Sequence, residues 1–261
     1  MSACFLRSVG IAAPGLAGWN ASLDILRGVT PYAAMAETPY APALLPPNER
    51  RRATASVRQA FRAAEDAINV AGVDARELAS VFASSDADMM VLHRICAALA
   101  QTPRAISPTD FHNSVHNAAS GYWSIAVQSI AVTTTLSAFD ASFTVGLLEA
   151  MALVDAHRDV LLVAYDALAP QPLLAKRPLA VPASVAVVLS AQAGPAPLGR
   201  IAIDASDAPE TNCPNPALEE LRRGNPALRA LPLFELLAAK RAATVNLRGT
   251  GDFCVALSYT P

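Results

Sequence analysis

Residues 133 to 151, TTTLSAFDASFTVGLLEAM, read as a short β-type run, a corner of small residues and a helix apolar almost all round. Chains present a nucleophile in this way, at a buried helix N-terminus whose orphan N–H groups can face developing negative charge. The residue at this corner is Asp140, and two readings stay open. As a helix N-terminal residue, its carboxylate accepts orphan N–H groups and complements the helix dipole. As a general base it would act in a residual pocket, yet no neighbour in sequence is an evident nucleophile. Ser137 and Ser142 are candidates only by default, because small polar residues at a tight turn commonly serve the turn.

Other chemistry-bearing residues are sparse. His112 and His116 have the i, i+4 spacing that can set two imidazoles on one helix face for a metal. His112 stands at the edge of the helical stretch and no third ligand is apparent, so both are read as packing or interface residues, with no metal or cofactor assigned. Arg51, Arg58 and Arg62 fall on one face of a helix, as a docking patch for an acidic carrier protein or as an ordinary solvated face. Tyr122 and Trp123 suit a core and an interface equally. All four histidines, His93, His112, His116 and His157, lie in the first 157 residues. The four cysteines, Cys4, Cys96, Cys213 and Cys254, lie far apart with no CxxC pair, which argues against a zinc site or a disulfide scaffold and for a reduced, cytoplasmic protein.

The elements that must position these residues alternate. ACFLRSVGIAA predicts an opening strand and GLAGWNASLDILRG a turn into a short helix. After a Pro-rich connector, Asn48 is the expected cap of one helix running to Gly72, its stop. LASVFA predicts a strand, VLHRICAALAQ a helix, and the stretch from 113 to 127 another helix. RDVLLVAYDALA is a continuous apolar run that suits a strand buried on both faces. Beyond residue 166, strands are expected at ASVAVVLSA and LGRIAID, a helix at RALPLFELLAAKR, and a strand, Gly turn and strand in ATVNLRGTGDFCVALSY. Strand and helix in alternation imply an α/β layered sheet.

With 53% hydrophobic and only 16% charged residues, the 261-residue chain is more apolar than a typical soluble domain, which implies a large core, an obligate interface, or both. No Ser/Gly-rich linker divides it, so one domain over 1–261 is expected. A net charge of −2 without a basic block gives no support for nucleic-acid binding. The most apolar windows are broken by charges before reaching membrane-span length, and the N-terminus has no sustained apolar stretch of the secretory kind.

The run SPTDFHNSVHNAASGYWSIA, with the corner after it, resembles the N-terminal half of the β-ketoacyl synthases, members of the thiolase-like fold. Ser107, Pro108, Asn117, Gly121 and Ile125 fall on that family's pattern without gaps, and the same count sets its nucleophilic Cys position on Asp140, with LSAFDAS where the family has S-T-A-C-A-S. VNLRGTGDFCVAL resembles the closing gating segment. There Asn246, Gly249 and Gly251 match, Arg248 and Thr250 take the Phe positions, and Asp252 takes the last Gly. GNPALRALPLFELL would put Asn225 where one catalytic His belongs.

The resemblance implies a thiolase-like layered α/β fold, with a complete N-terminal half over 1–165 and a truncated C-terminal half over 166–261. Condensation in this family uses a thiolate and two downstream histidines, and this chain has neither at the matching positions. Such a chain resembles the catalytically inactive chain length factors that pair with an active synthase, in particular the short kind of aryl-polyene and related pigment systems. The implied partner is an active β-ketoacyl synthase in a heterodimer or heterotetramer, with an acyl carrier protein as a further contact. Ala87, Met90, Asp110, Phe111, His112, His116 and Thr133 become candidates for the partner's tunnel and interface, and Arg248, Gly249, Thr250 and Gly251 for a degenerate gating loop. The alternative is a stand-alone decarboxylase or hydrolase of acyl thioesters using Asp140.

Overall fold

A computed structural model describes residues 2–155 and 158–261; His157 lies outside them. The chain begins with β1 (Ser2–Ala13), β2 (Leu16–Ala17) and α1 (Trp19–Leu26), followed by α2 (Pro47–Arg52), α3 (Ala55–Ala71), β3 (Ala79–Ala83) and α4 (Met89–Leu99). Next come α5 (Pro108–Asn113), α6 (Ala118–Val127) and β4 (Thr133–Leu136). A 3-10 turn at Phe139–Ala141 leads into α7 (Ser142–Leu153) and β5 (Val160–Asp166). Then follow α8 (Leu173–Lys176), β6 (Ala183–Ser190), β7 (Gly199–Ser206), α9 (Pro216–Gly224), a second 3-10 turn at Pro226–Ala230 and α10 (Leu231–Ala239). The hairpin β8 (Ala243–Arg248) and β9 (Cys254–Thr260) closes the chain.

Among the described residues nine strands form one sheet in the order β4-β3-β5-β6-β1-β7-β9-β8, with β2 on β1. β4, β3 and β5 run parallel, and every other pairing is antiparallel. The continuous apolar runs of β3, β5 and β6 follow from burial at every position, because helices cover both faces of the sheet. On one face α3 and α6 enclose Phe61, Phe82, Trp123 and Tyr165, whose rings meet edge-on or tilted. Tyr122 and Trp123 are therefore core residues. On the other face α1, α7, α9 and α10 bury Trp19, Phe143 and Phe234.

Two glycines set the distance between layers. A Cβ at Gly10 in β1 would lie 2.0 Å from the Ala63 carbonyl oxygen, so α3, with alanines at 60, 63, 64 and 67, rides directly on the strand. A Cβ at Gly146 in α7 would lie 2.9 Å from Leu162 Cδ1 and 3.0 Å from Ala83 Cβ. That absence lets α7 settle on β3 and β5, which aims its N-terminal end at the carboxyl ends of the parallel strands.

The single helix expected from Asn48 to Gly72 is two helices. The chain turns extended at Ala53 and Thr54, and Thr54 Oγ1 accepts from Val57 N at 3.3 Å to cap α3, while Asn48 sits inside α2. The stop is as expected, Gly72 in the left-handed conformation with φ 62°. The helix expected around 113 to 127 begins later, at Ala118 of α6, after a link that follows α5, and α9 is an addition to the expected elements.

Candidate functional site

Three parallel strands end at one place. β4 delivers Ser137, β3 delivers Ser84, Ser85 and Asp86, and β5 ends on Asp166. Ser137 Oγ is shared between the carbonyl oxygens of Ser84 (2.7 Å) and Ser85 (2.8 Å), tying the exit of β4 to that of β3. Ser142 Oγ donates to the Phe139 carbonyl at 2.7 Å and accepts from Ala138 N at 3.1 Å, which closes the corner on itself. Both serines are turn-holding groups. Phe139 carries the conformational cost, with φ 53° in a region that side-chain-bearing residues rarely adopt.

Asp140 does not act as the expected cap. No side chain caps the start of α7 or of the 3-10 turn before it. Instead Asp140 Oδ1 lies 2.8 Å from Arg177 Nη2, just after α8, and Oδ2 lies 3.9 Å from Arg229 Nη2, in the second 3-10 turn. The Arg177 guanidinium also covers the Phe139 ring, its Cζ 3.7 Å from the centroid. At the position to which the sequence resemblance assigns a thiolate, the chain places a carboxylate engaged by cations.

Directly behind the corner is a fully buried acid. Asp166 Oδ1 accepts from Ser85 N (2.7 Å), Ser85 Oγ (2.9 Å) and Ser84 Oγ (3.0 Å), while Oδ2 has no partner. Burial pushes its pKa up to about 7 and the neighbouring Asp86 adds to the rise, against the lowering effect of the serine donors. Burial likewise raises Asp86, opposed by Arg177. Asn225, which the resemblance sets where one catalytic His belongs, is completely buried, and its side chain is fully bonded. Its Nδ2 donates to the carbonyls of Val181 (2.9 Å) and Asp166 (3.3 Å), and its Oδ1 accepts from Ala227 N at 2.9 Å. It is a brace between the end of β5 and the turn that carries Arg229.

The remaining candidates spread over neighbouring surface. Ala87, at φ 57°, follows the end of β3, with its N–H on Ser84 Oγ at 3.0 Å. Met90 is exposed on α4 and Phe111 on α5. Asp110 is taken by a bidentate pair with Arg94, with nitrogen–oxygen distances of 2.6 and 3.0 Å to Oδ1. His112 closes α5 and meets the Tyr122 ring edge-on at 6.1 Å, while His116 lies in the link to α6. The two imidazoles do not share a helix face because α5 ends between them, which removes the geometric case for a metal pair. Thr133 opens β4 and is exposed; its Oγ1 lies 3.0 Å from Ser80 Oγ. Arg248 ends β8, and Gly249, Thr250 and Gly251 form the hairpin turn. Arg248 and Gly251 border a groove with Glu210 and Phe253 that Asp140 does not line.

The arginine face is corrected too. Arg51 belongs to α2, while Arg62 on α3 donates to the Thr38 carbonyl and covers the Tyr40 ring, so one of the trio secures the Pro-rich connector. All four cysteines are unpaired. Arg177, Arg229 and Phe139 were missed. Nothing in their spacing links the two arginines to position 140, whereas an acid closing an apolar strand, as in LLVAYD, was a legible signal for Asp166.

The sequence matches the family described as Beta-ketoacyl synthase, N-terminal domain, over residues 27–245. No curated protein matches. Among solved structures, the chain is similar to one in a ketosynthase (ApeO) in complex with its chain length factor (ApeC) from Xenorhabdus doucetiae, with TM-score 0.73, 23% identity and 98% of each chain covered. It is also similar to a chain of AntDE:AntF, a type II PKS acyl-carrier protein in complex with its ketosynthase bound to the hexaketide, with TM-score 0.76, 13% identity and 99% of each chain covered. A β-ketoacyl synthase from Burkholderia phymatum STM815 matches with TM-score 0.72 and 12% identity, over 100% of this chain and 99% of that one. The mixed sheet with helices on both faces is thus the thiolase-like ketosynthase fold. With the profile match spanning both the Ser107–Asp140 stretch and most of the sheet, this chain belongs to the β-ketoacyl synthase family.

Proposed function

We propose that the chain is a non-catalytic ketosynthase subunit, a chain length factor that pairs with an active β-ketoacyl synthase and shapes its acyl tunnel in polyene or fatty-acid-like biosynthesis. The observation that carries this reading is the corner itself: the nucleophile turn is built, and its central residue is a carboxylate engaged by Arg177 and Arg229. Pairing is supported by the sheet edge beside that corner. β4 is the terminal strand, and exposed apolar side chains flank it in sequence, with Ile130 fully exposed, Val132 49% and Phe139 61%. The similarity to chains of a synthase–chain-length-factor complex and of a synthase–carrier-protein complex supports a synthase partner, with a carrier protein as a further one. A cytoplasmic setting fits the unpaired cysteines.

The purified chain alone is expected to show no elongation of malonyl-loaded carrier protein and no thioester turnover, both before and after Asp140→Asn. Turnover by the isolated chain that Asp140→Asn abolishes would overturn the reading in favour of a stand-alone acyl-thioester enzyme. In a reconstituted complex, Met90→Trp and Met90→Gly are expected to shift product length in opposite directions. Unchanged products would remove Met90 from the tunnel.

A further inference from the structure

Arg177 and Arg229 reach Asp140 from two segments far apart in sequence, and their exposures differ from its own: each arginine side chain is 13% exposed, Asp140 40%. The cations form the wall and the carboxylate is the member that solvent reaches. Arg177 Nη2, at 2.8 Å from Oδ1, lacks the alignment of a hydrogen bond, and Nε of both arginines is buried with no acceptor. Buried donors without acceptors are costly, and a guanidinium fork is shaped to hold a carboxylate by two parallel bonds. Asp140, tethered at the tip of a tight turn, supplies one close approach and one at 3.9 Å. The donor capacity exceeds what this occupant uses. Asp86, the other acid that feels Arg177, keeps an unpaired Oδ2 of its own.

We infer that Arg177 and Arg229 form a carboxylate-binding site and that Asp140 is its built-in, imperfectly seated occupant. The internal carboxylate holds together three segments, the corner, the stretch after α8 and the 3-10 turn at Pro226–Ala230, and keeps Arg177 stacked on Phe139. Once Asp140 is removed, the site accepts a small free carboxylate. This goes beyond the pairing proposal and survives its failure, since each readout concerns the corner and not a partner.

The test is chemical rescue, on the full chain as purified with whatever partner it brings. Asp140→Ala is expected to lower the midpoint of thermal unfolding by about 2–5 °C. Sodium formate, titrated against sodium chloride at constant ionic strength, is expected to restore at least half of that loss with saturation, as binding to the folded state requires. Asp140→Ala/Arg177→Gln is expected not to respond. An unchanged midpoint in Asp140→Ala, or an equal formate response in the double variant, would overturn the site. Should Asp140→Ala not fold, Asp140→Cys gives a second reading through its alkylation rate against pH. The introduced thiol is expected to titrate below the ordinary value of about 8.5 and to return towards it with Arg177→Gln. A thiol titrating at or above that value in the single variant would contradict the inference.

Discussion

The two edges of the sheet are finished differently. At the β8 edge the outward backbone of Asn246 is covered: its N–H donates to Thr211 Oγ1 at 2.8 Å, its carbonyl accepts from Thr211 N at 2.8 Å, and Ser206 Oγ lies 3.0 Å from its side-chain oxygen. At the β4 edge the ladder to β3 uses the carbonyls of Val132 and Leu136, so Thr133 and Thr135 turn their backbone groups outward, with no strand of the sheet beyond them. Exposed Ile130, Val132 and Phe139 stand just before and after that strand. Proteins normally blunt an open edge because it templates association. A covered edge and an open one flanked by apolar side chains are what the proposed pairing requires, association at β4 and none at β8.

The strongest challenge to this contrast is Thr133→Pro. Proline removes an outward donor while sparing the ladder to β3, so the affinity for a synthase partner is expected to fall by about 100-fold or more in calorimetry or surface plasmon resonance, with little change in thermal stability. Val132→Asp and Ile130→Asp place a charge beside the same edge and are expected to weaken the complex by about 10-fold each, again without unfolding the free chain. Undiminished binding in all three would move the interface elsewhere.

Fold and association are separated by Gly146→Ala. The methyl would meet Leu162 and Ala83 at 3.0 Å or less, and overpacking of this kind costs about 1–3 kcal/mol, read as a fall in the chemical denaturation midpoint. Asp166 gives a pH signature behind the corner. Its folded-state pKa of about 7 lies above the unfolded value near 4, so the folded chain retains a proton that the unfolded chain has released. Its stabilising contribution is therefore complete below about pH 4 and is lost as pH rises through about 7. Asp166→Asn is expected to remove that part of the slope, so parent and variant melting curves should diverge across this window. Smallest of all, Thr211→Ala uncovers the guarded edge at a cost of about 1 kcal/mol and should introduce weak concentration-dependent self-association, measurable by sedimentation.

Much of this architecture was legible because local signals agreed with the tertiary result. The apolar run LLVAYD suited a strand covered on both sides, and the small residues between β4 and α7 suited a corner. The break at Thr54 was hidden because α2 and α3 are both helix-forming and the interruption is two residues of extended backbone without Gly or Pro. α9 has a start signal in sequence, Asn215 as cap with Pro216 in the first turn and Glu219 near it, obscured by the Pro-punctuated stretch around it. The role of Asp140 was beyond local reading. A carboxylate at a helix start looks like a cap, and only the folded chain brings Arg177 and Arg229 to it.

The most direct test of the central claim is affinity purification of the tagged chain from its own host, with mass spectrometry of what accompanies it and light scattering for the mass of the complex. An approximately equimolar ketosynthase bearing the nucleophilic Cys is the predicted result. A clean monomer or homodimer would contradict it.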